Sequence, residues 1–359
     1  MDLDSLGWTP ALSQAFIPYA AEGLTPARVG ARHRSGYLLF TTVGERPAEV
    51  SGRLRHEAQD GGFPAVGDWV AAHVDDERAR IEAILPRRGV FERSSADPTR
   101  PGAASAVEVV AANVDLVLIV MGAKDDLNLR RLERYLAAAW DSGAQPTVVL
   151  TKIDLVEDPA ALVELVQAVS PGATVQAVSN VTGEGVEAVR ALIGPGCTAA
   201  LLGSSGVGKS SLVNRLLGRD RQSVAGVRAD GRGRHTTTAR ELLALPGGGL
   251  VLDTPGMRLI TPADDAGLDA AFSDIQTLAA ACRFTDCLHR AEPGCAVRAA
   301  VEQGLLEADR LEGWHKLRRE LAHVELKDDP VAQSERRKRW KVIHKAQRNK
   351  EKGRWSESD

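Results

Sequence analysis

At 359 residues the chain exceeds one ordinary domain, and a prior of about 100 to 200 residues per domain points to two or three. No apolar run approaches the roughly 18 to 20 residues that span a bilayer, and Met1-Asp2-Leu3-Asp4 lacks the basic and apolar parts of a signal peptide, so no membrane association and a cytoplasmic location are expected. The formal charge of −3 conceals an asymmetry: residues 331–359 carry ten Lys or Arg against four Asp or Glu, which leaves −9 on the rest.

Residues 1–34 read as an N-terminal extension punctuated by Pro10, Pro18 and Pro26, with no legible role. Short β-like runs follow at 37–43, 49–55, 66–74 and 79–85, separated by turn signals such as Gly61-Gly62 and Gly67-Asp68. Their spacing predicts a small antiparallel barrel of the OB type over 35–100. From Val114 the texture becomes α/β: strands at 114–120, 147–150, 174–178, 198–202 and 250–252 alternate with helices at 129–140, 160–169 and 209–217. This pattern predicts a parallel sheet over 105–262, with each motif at a strand's C-terminal end, where ligands bind in open α/β sheets. After Pro262 the chain turns helical over 263–330, and a basic tail follows over 331–359.

The strand at 198–202 leads into Gly203-Ser204-Ser205-Gly206-Val207-Gly208-Lys209-Ser210-Ser211, a phosphate-binding loop. Its glycines admit conformations and approaches that a side chain would block, so backbone N–H groups can surround phosphates. Lys209 supplies charge at the β- and γ-phosphates, and Ser210 offers a hydroxyl to Mg²⁺. Asp253-Thr254-Pro255-Gly256 follows a later strand, so Asp253 can reach Mg²⁺ through water and the Gly256 N–H can sense the γ-phosphate. Between them Gly231-Arg232-Gly233-Arg234-His235-Thr236-Thr237-Thr238 offers three threonines, one of which, with Thr237 the candidate, would complete the Mg²⁺ shell.

The base-reading motif precedes the phosphate loop by about fifty residues, whereas it ordinarily follows. In Thr151-Lys152-Ile153-Asp154 the Asp154 carboxylate can accept from guanine N1–H and the 2-amino group, a donor pair that adenine lacks, so GTP is expected over ATP. Thr151 stands where Asn is commoner, which alters one contact bracing the base loop. Ser179-Asn180-Val181-Thr182-Gly183-Glu184-Gly185 would supply an N–H to guanine O6. The motif order is therefore G4-G5-G1-G2-G3, a circularly permuted P-loop GTPase. Met257 occupies the place where Ras-like proteins carry a water-orienting Gln, so slow intrinsic hydrolysis is expected; His235 is the candidate to position water and Arg234 to supply transition-state charge, and completion of the site by a partner is the preferred reading.

Cys282-x4-Cys287-x-His289-x5-Cys295 offers three thiolates and an imidazole, a set that closes a tetrahedral Zn²⁺ shell and predicts one structural zinc per chain. The clustering of three of the four cysteines suits a metal site in a reducing compartment better than a disulfide framework, and Cys197 reads as buried and structural. In the tail, Arg336-Arg337-Lys338-Arg339-Trp340-Lys341 followed by Lys345, Arg348, Lys350, Lys352, Arg354 and Trp355 suits phosphate contacts plus stacking on RNA, against the alternative of a solvated terminus.

With these motifs in place the chain resembles the RsgA (YjeQ/EngC-type) family, the circularly permuted, small-ribosomal-subunit-dependent GTPases of bacteria, over about residues 35–320. The segments that carry the resemblance are Pro64-Ala65-Val66-Gly67-Asp68-Trp69-Val70, Ala112-Asn113-Val114-Asp115, the nucleotide motifs, and the Cys282 to Cys295 cluster with Glu292-Pro293-Gly294-Cys295. The resemblance implies an N-terminal OB barrel, a permuted α/β P-loop GTPase and a helical zinc domain. It also implies GTP hydrolysis in late maturation of the 30S subunit, stimulation by that subunit and binding to 16S rRNA. A monomer is expected. The competing functions are a metabolic NTPase or nucleotide kinase with a zinc knob, opposed by Asp154 and the 179–185 loop, and an RNA-binding module gated by nucleotide in which hydrolysis is incidental. In the permuted order the barrel is expected beside Val114 and the guanine end of the core, and the zinc and basic segments just beyond the switch after Asp253.

Overall fold

The structure is a computed structural model that describes residues 2–33, 35–58, 62–95, 106–124, 126–218, 240–253 and 265–328. The barrel is built from β1 (Thr25–His33), β2 (Gly36–Thr41), β3 (Gly44–Val50), β4 (Trp69–Val74) and β5 (Ala79–Ile84). Their order is β1-β2-β3-β5-β4, and a further β4 to β1 pairing closes the ring. Closure removes free edges. Inward positions alternate along each strand: Ala27 and Val29, Tyr37 and Leu39, Val70 and Ala72, Ala79 and Ile81 fill the interior.

Two local expectations change. The barrel's first strand lies within the segment read as an extension, and the run at 49–55 is not one strand. Val50 ends β3, and Ser51 caps the helix α2 (Gly52–Glu57) by accepting from Leu54 N, so the alternation of Arg53, Leu54 and Arg55 falls on a helix turn. Leu54 then closes the barrel interior. Ahead of β1, helix α1 (Pro10–Ala21) starts at a Thr9 cap with Pro10 in its first turn, and buries Leu12 and Phe16 in the main core.

A hairpin of β6 (Phe91–Ser95) and β7 (Ala106–Ala111) joins the barrel to the α/β unit. That unit contains β8 (Leu116–Gly122), α3 (Leu129–Asp141), β9 (Gln145–Thr151), α4 (Pro159–Ala168), β10 (Thr174–Val178), α5 (Val186–Leu192), β11 (Thr198–Leu202), α6 (Lys209–Leu217), β12 (Arg240–Ala244) and β13 (Leu250–Asp253). Strands β10-β9-β8-β11-β13 are parallel neighbours, with β12 antiparallel to β13. Both faces are covered, as a parallel sheet requires. Leu116, Leu118 and Val120 face Val189, Leu212 and Leu216 of α5 and α6, while Val117, Ile119 and Met121 join Leu132 and Leu136 of α3.

The barrel adjoins the sheet through β12, whose residues Arg240 and Glu241 pair with Arg32 and Ala31 of β1. It therefore lies at the edge opposite β9 and β10, which carry the guanine motifs, and the expected placement at the guanine end is corrected. The reason is an edge: β12 leaves a backbone edge open and β1 fills it. The expected neighbourhood of Val114 does hold, since Val114 N donates to Gly89 O beside the barrel.

The segments 64–70 and 112–115 meet at this junction. Asp68 takes a two-pronged contact from Arg87, at 2.8 and 2.7 Å, and accepts from Ala65 N. Gly67 has φ +90°, and a Cβ there would lie 2.2 Å from the Ala112 carbonyl oxygen, so only glycine fits. Asn113, left-handed at φ +57°, accepts from Arg88 N and donates to Gly67 O. Buried Arg28 satisfies the carbonyls of Leu6, Gly67 and Asn113. Asp115 ties β8 to β11 through Thr198 N.

The C-terminal unit comprises α7 (Asp265–Ala271), α8 (Ser273–Ala279), α9 (Ala296–Glu302) and α10 (Ala308–Asp328), which is helical as expected. Leu311, Trp314, Leu317 and Leu321 form the buried stripe of α10. Among the described residues no helix is long and apolar enough to cross a membrane.

Candidate nucleotide and metal sites

Strand β11 ends at Leu202 and the chain turns sharply at Gly203, where φ is +142° and a Cβ would stand 2.2 Å from the Val120 carbonyl oxygen. The loop runs through partly buried Ser204, Ser205 and Gly206 and is anchored by buried Val207 in the core between the sheet and α6. Helix α6 begins at Lys209 with left-handed Gly208 as its cap, and no side chain caps it. Its first-turn N–H groups thus face the loop. Lys209 Nζ bridges the loop mouth, 2.9 Å from Gly203 O and 2.5 Å from Ser204 O. Ser210 and Ser211 occupy the first turn, partly exposed.

The residues expected to read the base come from the C-terminal ends of β9 and β10, on the same side of the sheet as the loop after β11. Thr151 is the fully buried end of β9, and Lys152 then adopts φ +62°, a left-handed conformation that costs a non-glycine residue about 1 kcal/mol. This turn starts a single 3-10 turn, Ile153–Leu155, that sinks Ile153 into the core and leaves Asp154 exposed. Ser179, buried after β10, donates from Oγ to Asp154 Oδ1 at 2.6 Å while accepting from the N–H groups of Val181 and Thr182. The carboxylate is thereby oriented by the loop expected to face the base's other edge. Thr151 Oγ1 lies 2.5 Å from Val207 O, and Asn180 Nδ2 lies 3.1 Å from Gly208 O, so both base segments touch the phosphate loop. Arg215 of α6 returns the contact by donating to the carbonyls of Asn180 and Val181, both at 2.8 Å. No sequence pattern marks Arg215, since its partners are backbone atoms of a distant loop.

Asp253 closes β13, next to β11 in the sheet, and pairs through its backbone with Glu241. His235, Arg234, Thr237, Gly256, Met257 and the tail over 331–359 lie outside the described residues.

Cys282, Cys287, His289 and Cys295 converge, with all four ligand atoms within 4.8 Å of one another. Cys282 Sγ is 3.7 Å from His289 Nδ1 and 4.0 Å from Cys295 Sγ, and Cys295 Sγ is 3.5 Å from His289 Nδ1. A tetrahedron with metal–sulfur bonds of about 2.3 Å and metal–nitrogen bonds of about 2.0 Å has edges of about 3.5 to 3.8 Å, so the donor set fits such an ion. Burial, helped by neighbouring His315, pushes the His289 imidazole toward its neutral, ligating form. His289 itself is left-handed at φ +57°.

Glu292, read from sequence only as part of a family motif, holds this loop. Its carboxylate accepts from Leu288 N, Arg290 N and Ala291 N at 3.1, 2.7 and 2.9 Å. Backbone N–H groups, its own first and then that of Arg290, hold its carboxyl down to about 2. Cys197, by contrast, is half-buried beside the core and away from the cluster, and burial followed by Asp115 pushes its thiol up to about 11.

The RsgA GTPase family model matches residues 84–261, and a model described as 50S ribosome-binding GTPase matches 198–327. A small ribosomal subunit biogenesis GTPase RsgA from Opitutus terrae is 46% identical, aligned over 99% of this chain and 100% of its own. The protein of that name from Streptomyces coelicolor is 45% identical over 94% and 92% of the two chains. Among solved structures, YjeQ from Thermotoga maritima superposes with a TM-score of 0.64 at 27% identity, covering 83% of this chain and 99% of that one. The fold of YloQ, a circularly permuted GTPase, matches with a TM-score of 0.60 at 23% identity, over 84% and 96%. Identity at this level along nearly the whole of both chains shows that this chain belongs to the RsgA family of GTPases.

Proposed function

We propose that this chain hydrolyses GTP as a factor in late assembly of the small ribosomal subunit, in the cytoplasm, binding 16S rRNA and being stimulated by the 30S particle. The observation that carries it is the meeting of a phosphate loop with an Asp154 carboxylate oriented by Ser179. Asp154 accepts from guanine N1–H and the 2-amino group, and the loop after Ser179 faces O6. Backbone groups of Gly203 to Gly208 and the Lys209 ammonium take the phosphates. Ser210, Asp253 and a switch threonine, Thr237 by our assignment, would hold Mg²⁺, which neutralises phosphate charge when bound. His235 is the proposed water-positioning residue. Cys282, Cys287, His289 and Cys295 would hold one Zn²⁺ as a closed structural site. The boundaries proposed for the α/β and C-terminal units are 105–262 and 263–330, and the barrel unit, expected at 35–100, is extended back to take in β1 from Thr25.

The small subunit is preferred over the large one because the relatives that align along the whole chain bear its name, whereas the 50S-described match starts at β11 and takes in neither barrel nor base-reading strands. Turnover of GTP by the full chain should rise strongly on adding 30S particles and little on adding 50S particles. Equal turnover with and without 30S would leave the reading of a nucleotide-gated RNA-binding module.

A further inference from the structure

The carbonyls of Val207 and Gly208, the last two before Lys209, are held from two different segments, the end of β9 and the loop after β10. Thr151 stands at a position where Asn is commoner. An Asn amide there has two N–H donors, but the threonine hydroxyl has a single proton. Its Oγ1 lies 2.5 Å from Val207 O and 3.2 Å from Met121 O, so that proton serves Val207. Gly208 O is met instead by Asn180 Nδ2 at 3.1 Å, from the loop after β10. Asn180 sits directly over Gly208, where a Cβ would lie 2.9 Å from its Nδ2 and 3.6 Å from Thr151 Oγ1. The amide orientation is chemically required, since turning it would set Oδ1 against the Gly208 oxygen, two acceptors face to face. Among the described residues only the donor side of this amide is engaged, through Nδ2, while Oδ1 is buried with no partner among them. Arg215 fixes the backbone of the same residue through Asn180 O.

Resting on the GTPase reading above, we infer that Asn180 is a positioning residue that has taken over the bracing amide of the base-reading motif. Thr151 and Asn180 divide between them the strap that joins the base loop to the phosphate loop. Asn180 touches no reacting atom in this role. It holds the Val207–Gly208 carbonyls in register, so that the cap of α6 and the Asp154 carboxylate keep a fixed separation matched to one nucleotide. Loss of the strap should weaken GDP and GTP alike, since both span that separation, and should leave the choice of base to Asp154 and Ser179.

The test uses the full chain and fluorescently labelled GDP and GTP, with unlabelled xanthine nucleotide as competitor. Asn180→Ala is expected to weaken both labelled nucleotides about five- to tenfold, the size of one lost hydrogen bond, with the preference for guanine over xanthine unchanged. Thr151→Asn in the Asn180→Ala background returns an amide to the other side of the strap and should restore affinity to within about twofold, allowing for hydrogen-bond geometry. A merely destabilised loop would not be rescued this way. Wild-type affinity in Asn180→Ala, or a double variant as weak as the single one, overturns the inference. An unmodified chain that binds no guanine nucleotide overturns the GTPase reading and this inference with it.

Discussion

Arg310 of α10 donates to Glu133 of α3 at 3.0 Å across 177 residues of sequence, with both side chains almost wholly buried. Arg310 also reaches Asp274 at 2.9 and 3.0 Å and Ala271 O at 2.7 Å, and lies 4.2 Å over the Phe272 ring. Burial opposes its charge, but the hydrogen bonds it donates to Asp274 and Glu133 keep it ionised. Gly313 lacks the side chain that would collide with Glu133 and Arg130, and so lets α10 approach α3. The C-terminal unit is thus fixed to the helix that follows β8. The order of the chain suggested only an attachment beyond Asp253.

Breaking this contact should loosen the C-terminal unit before anything else. Removing one partner of a buried ion pair costs about 3 to 5 kcal/mol, so Arg310→Met should lower the urea midpoint of the α7 to α10 unit and expose it to protease. Replacing Glu133 as well, by Leu, should recover part of the loss, because no charge is then left buried and unpaired. Unchanged proteolysis of Arg310→Met would count against a fixed attachment.

Base choice should follow one carboxylate. In Asp154→Asn the side chain presents a donor where guanine also donates, so GTP binding should fall by about 100-fold or more while xanthine nucleotide, with an oxygen in place of the 2-amino group, gains. Competition binding with GTP and XTP measures this. Retained guanine preference would remove Asp154 from the base site.

Metal removal should unfold a part and spare the rest. Chelation is expected to release one zinc per chain, and the α8 to α10 region should lose amide protection, since Cys295 caps α9 and His289 packs 5.2 Å from the Trp314 ring. The parallel sheet should keep its protection. Glu292→Ala should weaken metal retention without touching a ligand, because three N–H groups of the ligand loop lose their acceptor.

Cys197 supplies a pH signature. Its thiol is held up to about 11, against about 8.5 in an unfolded chain. The folded state therefore keeps a proton that the unfolded state gives up, and this contribution to stability is present below the unfolded value and lost as pH rises through about 11. Alkylation of native, metal-loaded protein should spare Cys197 at pH 8 and reach it as pH approaches 11; unfolding curves for wild type and Cys197→Ala should converge over that window. Ready labelling at pH 8 would contradict the burial.

What the sequence determined by itself is what rests on local rules. Glycine spacing in 203–208, the strand before it and the helix after it specify a phosphate loop, because backbone conformation at Gly203 and Gly208 is a local requirement. Period and length placed β10, β11 and α6 at 174–178, 198–202 and 209–217, where the structure has them. Four metal-type ligands within fourteen residues announced their own cluster. The strand read at 49–55 failed on equally local grounds, since one side-chain cap at Ser51 outweighs a short alternation of polar and apolar residues. Partners that lie far apart in the chain were decided only by tertiary structure. Nothing in Glu133 announces Arg310, nothing in β1 announces β12, and Asn180 shows its donor role only when β10 brings it over Gly208. Such contacts follow from which edge remains open and which buried polar atom still needs a partner, and both are properties of the packed sheet.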